Sequence, residues 1–533
     1  MRSLRNGIKG LCAAAKPAKW RILVSVLIGL VRVAASMSFV WISKRLVDIA
    51  TGTTGAPLAP AAVIMAAIVL VQLAGAVAAS YWGNLNIVKT RCGLKYKVSG
   101  RVLRSEWNGR EEFHSGDVTN RMQEDIRVVT DLVCSNLPDA VVTVCQLAAA
   151  SVYMLNLAPG LLWVLVLLMA VAILGSKLFF RTIRRLSSRI RELDSKSQQH
   201  IQESVQNRVV VLTLIGVENV LKKLNVIQDD LQDTTVSRLN YSAVARGFLG
   251  FGFMAGYFAA FMWGVTGIKS GAVTYGMMTA FLQLVGQVQR PMADLSHHIP
   301  AFIEALTSEE RLAEMLSLPE APGLEGDFCE SAPSIVFENV TYSYPGQEKP
   351  VYTDFSHTFK AGTVTTVMGP TGIGKSTLIR LAMGLLKPQN GSISVYPMCN
   401  YMYVPQGNSL LSGTVRENLL VAAPNAAEEE MVQALKTAAA EFVLDLPMGL
   451  DTVCGEEGTG LSEGQAQRIA IARAILHKGS ILILDEATSA LDSETEKRLV
   501  GNLSMAFRGR KTIIMITHRD SLSGIADDIL RIG

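Results

Sequence analysis

Charge is what this sequence has little of. Only 18% of its 533 residues are Asp, Glu, Lys or Arg, while 49% are hydrophobic; an ordinary soluble domain is roughly 25% charged. That balance excludes a disordered chain, a collagen-like repeat and a small disulfide scaffold. The net charge of +4 is too small to argue for nucleic acid as a partner. Cysteine is sparse and dispersed. Cys12, Cys92, Cys134, Cys145, Cys329, Cys399 and Cys454 form no CxxC and no Cys/His ligand spacing, so they read as free thiols rather than a disulfide framework or a zinc site. There is no internal repeat and no low-complexity tract.

What is present is concentrated. Six apolar runs approach or exceed the ~20 residues that span a bilayer; they lie near 22–42, 58–82, 134–156, 159–180, 247–268 and 274–296. Arg32, Asp139 and Arg290 interrupt or border the first, third and sixth. The loop after the second run carries Lys89, Arg91, Lys95, Lys97, Arg101, Arg104, Arg110, Arg121 and Arg127, and the loop after the fourth is equally basic. The alternate loops are short and nearly uncharged, Lys44 and Arg45 excepted. Basic loops stay in the cytoplasm, so these loops and both termini are expected there. The spacing in 190–231 predicts long helices that continue the spans into the cytoplasm. The N-terminal stretch MRSLRNGIKGLCAAAKPAKW is basic without an acid. It reads as a short amphipathic helix on the inner leaflet rather than a transit peptide, since no cleavage signature stands out.

Beyond Ser331 short β-branched runs alternate with helical stretches, as in a soluble α/β domain. The Pro-, Gly- and acid-rich stretch around 317–333 reads as a linker. The expected organisation is a membrane domain over 1–316, this linker, and an α/β domain over 334–533.

The α/β half carries the chemistry. Gly369-Pro370-Thr371-Gly372-Ile373-Gly374-Lys375-Ser376-Thr377 follows the apolar run Val364–Met368 and precedes an apolar helical stretch. That is the strand–loop–helix setting of a P-loop, whose backbone N–H groups and helix dipole cradle phosphate. Lys375 is placed for β- and γ-phosphates and Ser376 for Mg²⁺. The run Ile481-Leu482-Ile483-Leu484-Asp485-Glu486 reads as a buried parallel strand ending in two acids. Asp485 suits the metal and Glu486 suits a general base for water. Ser462, Gly464 and Gln465, in Leu461-Ser462-Glu463-Gly464-Gln465, open a helix that offers a second phosphate site. Gln406, after Tyr403-Val404-Pro405, can reach metal or water. His518 ends another apolar strand where a γ-phosphate contact is expected, Tyr344 can stack on a purine, and Asp492 lies just past the acidic strand.

This order of motifs (Tyr344, GPTGIGKST, VPQ, LSEGQ, ILILDE, SALD, ITHR) resembles the nucleotide-binding domain of ATP-binding cassette proteins over essentially all of 334–533. Ser115 to Arg121 with Asp125, Thr274-Tyr275-Gly276, Pro291 and Glu309-Glu310-Arg311 resemble the membrane half of exporters of that family. The resemblance implies an all-α six-helix bundle followed by an α/β P-loop ATPase domain, with ATP and Mg²⁺ as ligands. It implies a half-transporter that pairs head to tail with a second chain, identical or not. Gly369, Gly374, Lys375, Ser376, Thr377, Gln406, Asp485, Glu486 and His518 would act in cis, and Ser462, Gly464 and Gln465 in trans. Coupling would run through the inner loops near 112–121 and 209–218.

Three features depart from the family pattern. Glu463 replaces the usual signature glycine, 391–404 is short, and the usual C-terminal tail is missing after Gly533. No extra peptidase domain precedes the first span, so a peptide-processing exporter is not expected. The expected function is ATP-driven export or flipping of a hydrophobic or amphipathic substrate in a bacterial inner membrane, with the ATPase domain cytoplasmic. The alternative is a regulatory or catalytically weak subunit of a heterodimer. Arg32 and Gln72, Gln146, Gln283, Gln287 and Gln289 are candidates for a substrate cavity or for contacts between helices.

Overall fold

The computed structural model describes residues 2–106, 115–321, 331–347, 349–397, 400–407, 409–454, 460–517 and 526–532. His518, Cys329 and Cys399 lie outside them, as does the side chain of His297. The chain divides into two compact units: Met1–Gly100 with Ser115–Ser317, and Arg101–His114 with Leu318–Gly533.

The first unit is wholly helical. A helix Arg2–Ala15 leads through a short turn into Lys19–Ala50. Helices Leu58–Leu103, Leu137–Leu157, Pro159–Lys177, Phe180–Gln206, Val217–Lys269 and Tyr275–Leu316 follow. Among the described residues five helices are long and apolar enough to cross a membrane. The sixth expected span is the first half of Tyr275–Leu316. There Gln283, Gln287, Gln289 and Arg290 interrupt the apolar run and leave it less hydrophobic than the others. The long helices expected after the fourth run are Phe180–Gln206 and the N-terminal part of Val217–Lys269, separated at 207–216 by one short helical turn and one wide, π-type turn.

Interior packing in this unit centres on Val40, Met154, Leu161, Leu165, Phe281 and Leu284, none of which reaches solvent. Polar side chains tie helices together. Gln72 Nε2 donates to Ala35 O (3.2 Å) and Gln289 Nε2 to Gly252 O (3.2 Å), so these two glutamines act between helices. Thr274 caps Tyr275–Leu316 by accepting from Met277 N, and Gly276 N donates to buried Asp48 Oδ1 at 3.1 Å. Arg121 pairs with Asp117 (2.9 Å) and Glu314 (2.8 Å), and Arg311 lies 3.8 Å from buried Asp125. The motif 115–125 is thereby fastened to the end of the last long helix.

Among the described residues the second unit holds ten strands: β1 Ser334–Tyr342, β2 Tyr352–Phe359, β3 Val364–Met368, β4 Asn390–Tyr396, β5 Tyr401–Val404, β6 Gly413–Thr414, β7 Val453–Cys454, β8 Ile481–Asp485, β9 Thr512–Ile516 and β10 Asp528–Arg531. Five form a parallel sheet in the order β10-β3-β9-β8-β5, and three an antiparallel sheet β2-β1-β4. The residues of β3, β8 and β9 are all buried. Their alternation feeds two cores. Ile481, Ile483, Ile514 and Ile516 face β1 and helix Lys375–Ala382, while Leu482, Leu484, Ile513 and Met515 face helix Glu463–Leu476. A sheet covered on both faces needs continuous apolar strands rather than alternating ones, which is the pattern in the sequence. The stretch 101–106 joins this unit: Glu106 N donates to Pro319 O (2.8 Å), and Lys387 pairs with the Glu106 carboxylate (2.6 Å).

Candidate functional site

In a parallel sheet, loops at the carboxyl ends of adjacent strands form the ligand crevice. β3 and β8 deliver their loops to that edge, with β9 between them. From β3 the chain enters 369–374 and then helix Lys375–Ala382. Gly374 carries φ +109°, and a Cβ there would lie 2.5 Å from Val351 Cγ1. Only glycine makes this turn without strain. Tyr352 OH donates to Gly374 O at 3.0 Å and holds the turn from outside.

Lys375 is 5% exposed, and its ammonium donates to Gly369 O (2.8 Å) and Pro370 O (3.1 Å). It also lies 4.0 Å from Glu486 Oε1. Gln406 Nε2 donates to Glu486 Oε2 at 2.8 Å, so one carboxylate stands between the P-loop ammonium and the amide that follows β5. Glu486 has φ +52°, a conformation unfavourable for a side chain of its kind and commonest where function demands it. Ser376 Oγ donates to Asp485 Oδ1 at 3.3 Å. Burial above all, then the neighbouring Glu486 charge, push the Asp485 carboxyl above its usual range, and the Ser376 hydroxyl pulls it back. A hydroxyl beside a desolvated carboxylate is a set of hard oxygen donors, which fits Mg²⁺.

Tyr403 is a member of this cluster that sequence reasoning missed. Its OH donates to Asp485 Oδ2 at 3.4 Å, and burial, with Asp485 beside it, pushes it up to about 12. It therefore remains a donor at neutral pH. No local signal marks it, since the contact follows from register: Tyr403 pairs with Ile483 in parallel, two residues from Asp485. Tyr344 sits beside the P-loop helix. Its hydroxyl shares a 3.0 Å hydrogen bond with Thr377 Oγ1 and accepts from Arg380 (3.4 Å).

Four expected residues, Ser462, Gly464, Gln465 and Asp492, lie on other elements. Ser462 caps helix Glu463–Leu476 in a reciprocal box: its Oγ accepts from Gln465 N, and its own N–H donates to Gln465 Oε1. The cap uses an acceptor lone pair of the hydroxyl and leaves its proton for a ligand. Gly464 is buried, and a Cβ there would lie 2.9 Å from Ala490 O, so it also allows close packing on the turn after β8. Glu463 is exposed in the first helical turn, where the helix dipole favours a carboxylate. Asp492 caps helix Ser493–Phe507 through Glu494 N and Thr495 N, and these N–H groups hold its carboxyl below the ordinary range.

The same two halves recur in known proteins. Residues 22–292 match the family model described as the ABC transporter transmembrane region, and 352–489 match the one described as ABC transporter. An ABC multidrug transporter of Aspergillus fumigatus is 31% identical over 78% of this chain and 55% of its own length. The mouse mitochondrial ATP-binding cassette sub-family B member 10 is 30% identical over 80% and 62%. The chain thus spans under two thirds of these relatives. A fatty acid ABC transporter ATP-binding/permease protein of Mycobacterium tuberculosis is 27% identical over 84% of this chain and 73% of its own length. The solved structure of a bacterial Atm1-family exporter with ATP bound superposes with TM-score 0.76 at 24% identity, covering 97% of this chain and 93% of that one, which shows the fold. The protein is an integral membrane protein. Both of its halves, the helical and the α/β, belong to one family, the ABC transporters.

Proposed function

We propose that this chain is half of an ATP-driven exporter, pairing with an identical or related chain so that each nucleotide site is completed by the partner's signature helix. The observation that carries the reading is the run Lys375, Glu486 and Gln406, joined by an ion pair at 4.0 Å and a hydrogen bond at 2.8 Å, beside Ser376 and Asp485 at the carboxyl edge of the parallel sheet. Phosphates entering the P-loop would draw Lys375 from its own loop carbonyls. Ser376, Asp485 and Gln406 would hold Mg²⁺, which neutralises charge on the transferred phosphate. Glu486 would take the proton of the attacking water, with Gln406 orienting it and His518 contacting the γ-phosphate. The loop 369–377 would cradle the phosphates, Tyr344 would stack on the base, and Ser462, Gly464 and Gln465 would close on the partner's nucleotide. Asp492 would contribute by fixing the turn against which Gly464 packs.

The substrate is proposed to be hydrophobic or amphipathic, in line with the relatives named for drugs and fatty acids. The basic loops argue for a cytoplasmic ATPase domain and cytoplasmic termini, in a bacterial plasma membrane. Movement would pass to the spans through the loops 112–121 and 209–218. The deciding experiment is ATPase measured on the chain alone in lipid, for wild type and Glu486→Gln. Robust turnover abolished by the substitution supports a working homodimer; turnover only after a second chain is added overturns it. A second reading, a catalytically weak subunit of a heterodimer, draws on the exposed Glu463 in the signature. A carboxylate beside the partner's γ-phosphate would repel it. Glu463→Gly then raises turnover, and unchanged turnover removes that reading.

A further inference from the structure

A cavity of 410 Å³ lies within the membrane unit where the N-terminal helix meets four others, a size within the ~300–1,000 Å³ of small-ligand sites. Its wall is apolar and built of small residues: Gly10, Ala13, Ala14 and Pro17 from the N-terminal segment, with Leu94 and Leu312 across from them. Gly10 lets the Glu309 carboxylate come up against the N-terminal helix, since a Cβ there would strike it. Four charged groups line the space: Arg21, Lys89, Lys97 and Glu309. Cations outnumber the acid three to one. Lys89, Gly93 and Lys97 follow at i, i+4 and i+8, which is one face of helix Leu58–Leu103. Neither lysine has an ion-pair partner among the described side chains, and Arg21 donates only weakly to Thr90 Oγ1 (3.5 Å). Burial, with Glu310 next to it, raises the Glu309 carboxyl above its usual range.

The level of this cavity relative to a bilayer follows from neighbouring residues. Arg21 immediately precedes the first apolar run, Trp20 beside it is 69% exposed, and Trp82 Nε1 donates to Arg21 O at 3.1 Å. Tryptophans gather at the boundary between hydrocarbon and headgroups. The amphipathic helix Arg2–Ala15 supplies one wall of the space, on the side of the basic loops.

We propose that this cavity holds an anionic phospholipid of the leaflet that faces the basic loops, its phosphate against Arg21, Lys89 and Lys97 and its glycerol and upper acyl carbons against the small-residue wall. Basic pockets between membrane helices at a cytoplasmic surface select anionic headgroups on these grounds. A soluble anion would gain nothing from the apolar wall, and a neutral lipid nothing from the cations. The site therefore makes the seating of the N-terminal helix depend on membrane charge. The proposal borrows only the leaflet assignment from the functional reading above; the binding itself is independent of ATP hydrolysis.

The test uses the full chain in detergent without nucleotide, titrated with phosphatidylglycerol or phosphatidylcholine and read by native mass spectrometry. Wild type is expected to retain phosphatidylglycerol over phosphatidylcholine by about tenfold, and Lys89→Gln with Lys97→Gln to remove most of that preference. Ala14→Trp, which fills the cavity, is expected to abolish retention of the lipid. Lys222→Gln with Lys223→Gln, exposed on helix Val217–Lys269, serves as the control and leaves retention unchanged. Equal loss in the control, no preference in wild type, or undiminished retention in Ala14→Trp would each overturn the proposal. Displacement by inorganic phosphate alone would reassign the site to a soluble anion and overturn it too. Because no step needs turnover, an inactive ATPase leaves the result interpretable.

Discussion

Glycine works in opposite ways in the two units, and the contrast shows how each is held together. In the membrane unit the glycines that matter are helical and sit where helices touch. A Cβ at Gly256 would fall 1.9 Å from Gln289 Nε2, whose amide is wholly buried and bonds Gly252 O. Hydrocarbon gives helices no hydrophobic reason to associate, so close approach and polar contacts must hold them. In the α/β unit the decisive glycine bends the chain. Gly374 at φ +109° turns the backbone from β3 into its helix, while cohesion comes from the apolar strands β3, β8 and β9. One unit uses glycine for contact and the other for conformation.

Substitutions can break or sharpen that contrast. The largest effect tests whether the chemistry belongs to the ATPase unit alone: Glu486→Gln is expected to lower ATPase turnover by about a hundredfold or more, with the circular dichroism and elution of the chain unchanged. Loss of folding instead would mean that the contact with Lys375 is structural. Next, Gly374→Ala adds both strain at positive φ and a clash with Val351. Nucleotide affinity, measured by fluorescent-analogue titration, is expected to fall by about tenfold or more. Gly256→Val should act on the other unit, lowering its thermal stability in detergent by about 1–3 kcal/mol while nucleotide affinity stays unchanged. Coupling is checked by Gln289→Ala, which vacates the space and should make Gly256→Ala nearly neutral; additive losses would rule out the contact as the reason for that glycine. The smallest effect is a control. Gly501 lies inside helix Ser493–Phe507 with nothing near its missing Cβ, so Gly501→Ala should stabilise the α/β unit by about 0.5–1 kcal/mol.

Much of this was legible in the sequence because its signals are local. The P-loop is one contiguous run, and the strand ending in Asp485-Glu486 announces itself by four apolar residues and two acids. The membrane runs are long enough to stand out singly, the glutamine-rich sixth being the weakest. Other members of the site were hidden because they depend on register or on partners distant in sequence. Tyr403 reaches Asp485 only because β5 lies beside β8. The dual part of Gly464, opening the signature and packing on Ala490, is equally invisible along the chain.

The sequence by itself determined the two-part organisation, the family resemblance and the P-loop, since each rests on neighbours along the chain: apolar run length, glycine spacing and strand-end acids. The tertiary structure alone decided which side chains meet. It set Glu486 between Lys375 and Gln406, gave Gln72 and Gln289 to helix contacts, and brought Arg21, Lys89 and Lys97 around one cavity. Those meetings join residues tens to hundreds of positions apart. They arise from helix packing and sheet order, which no local pattern encodes.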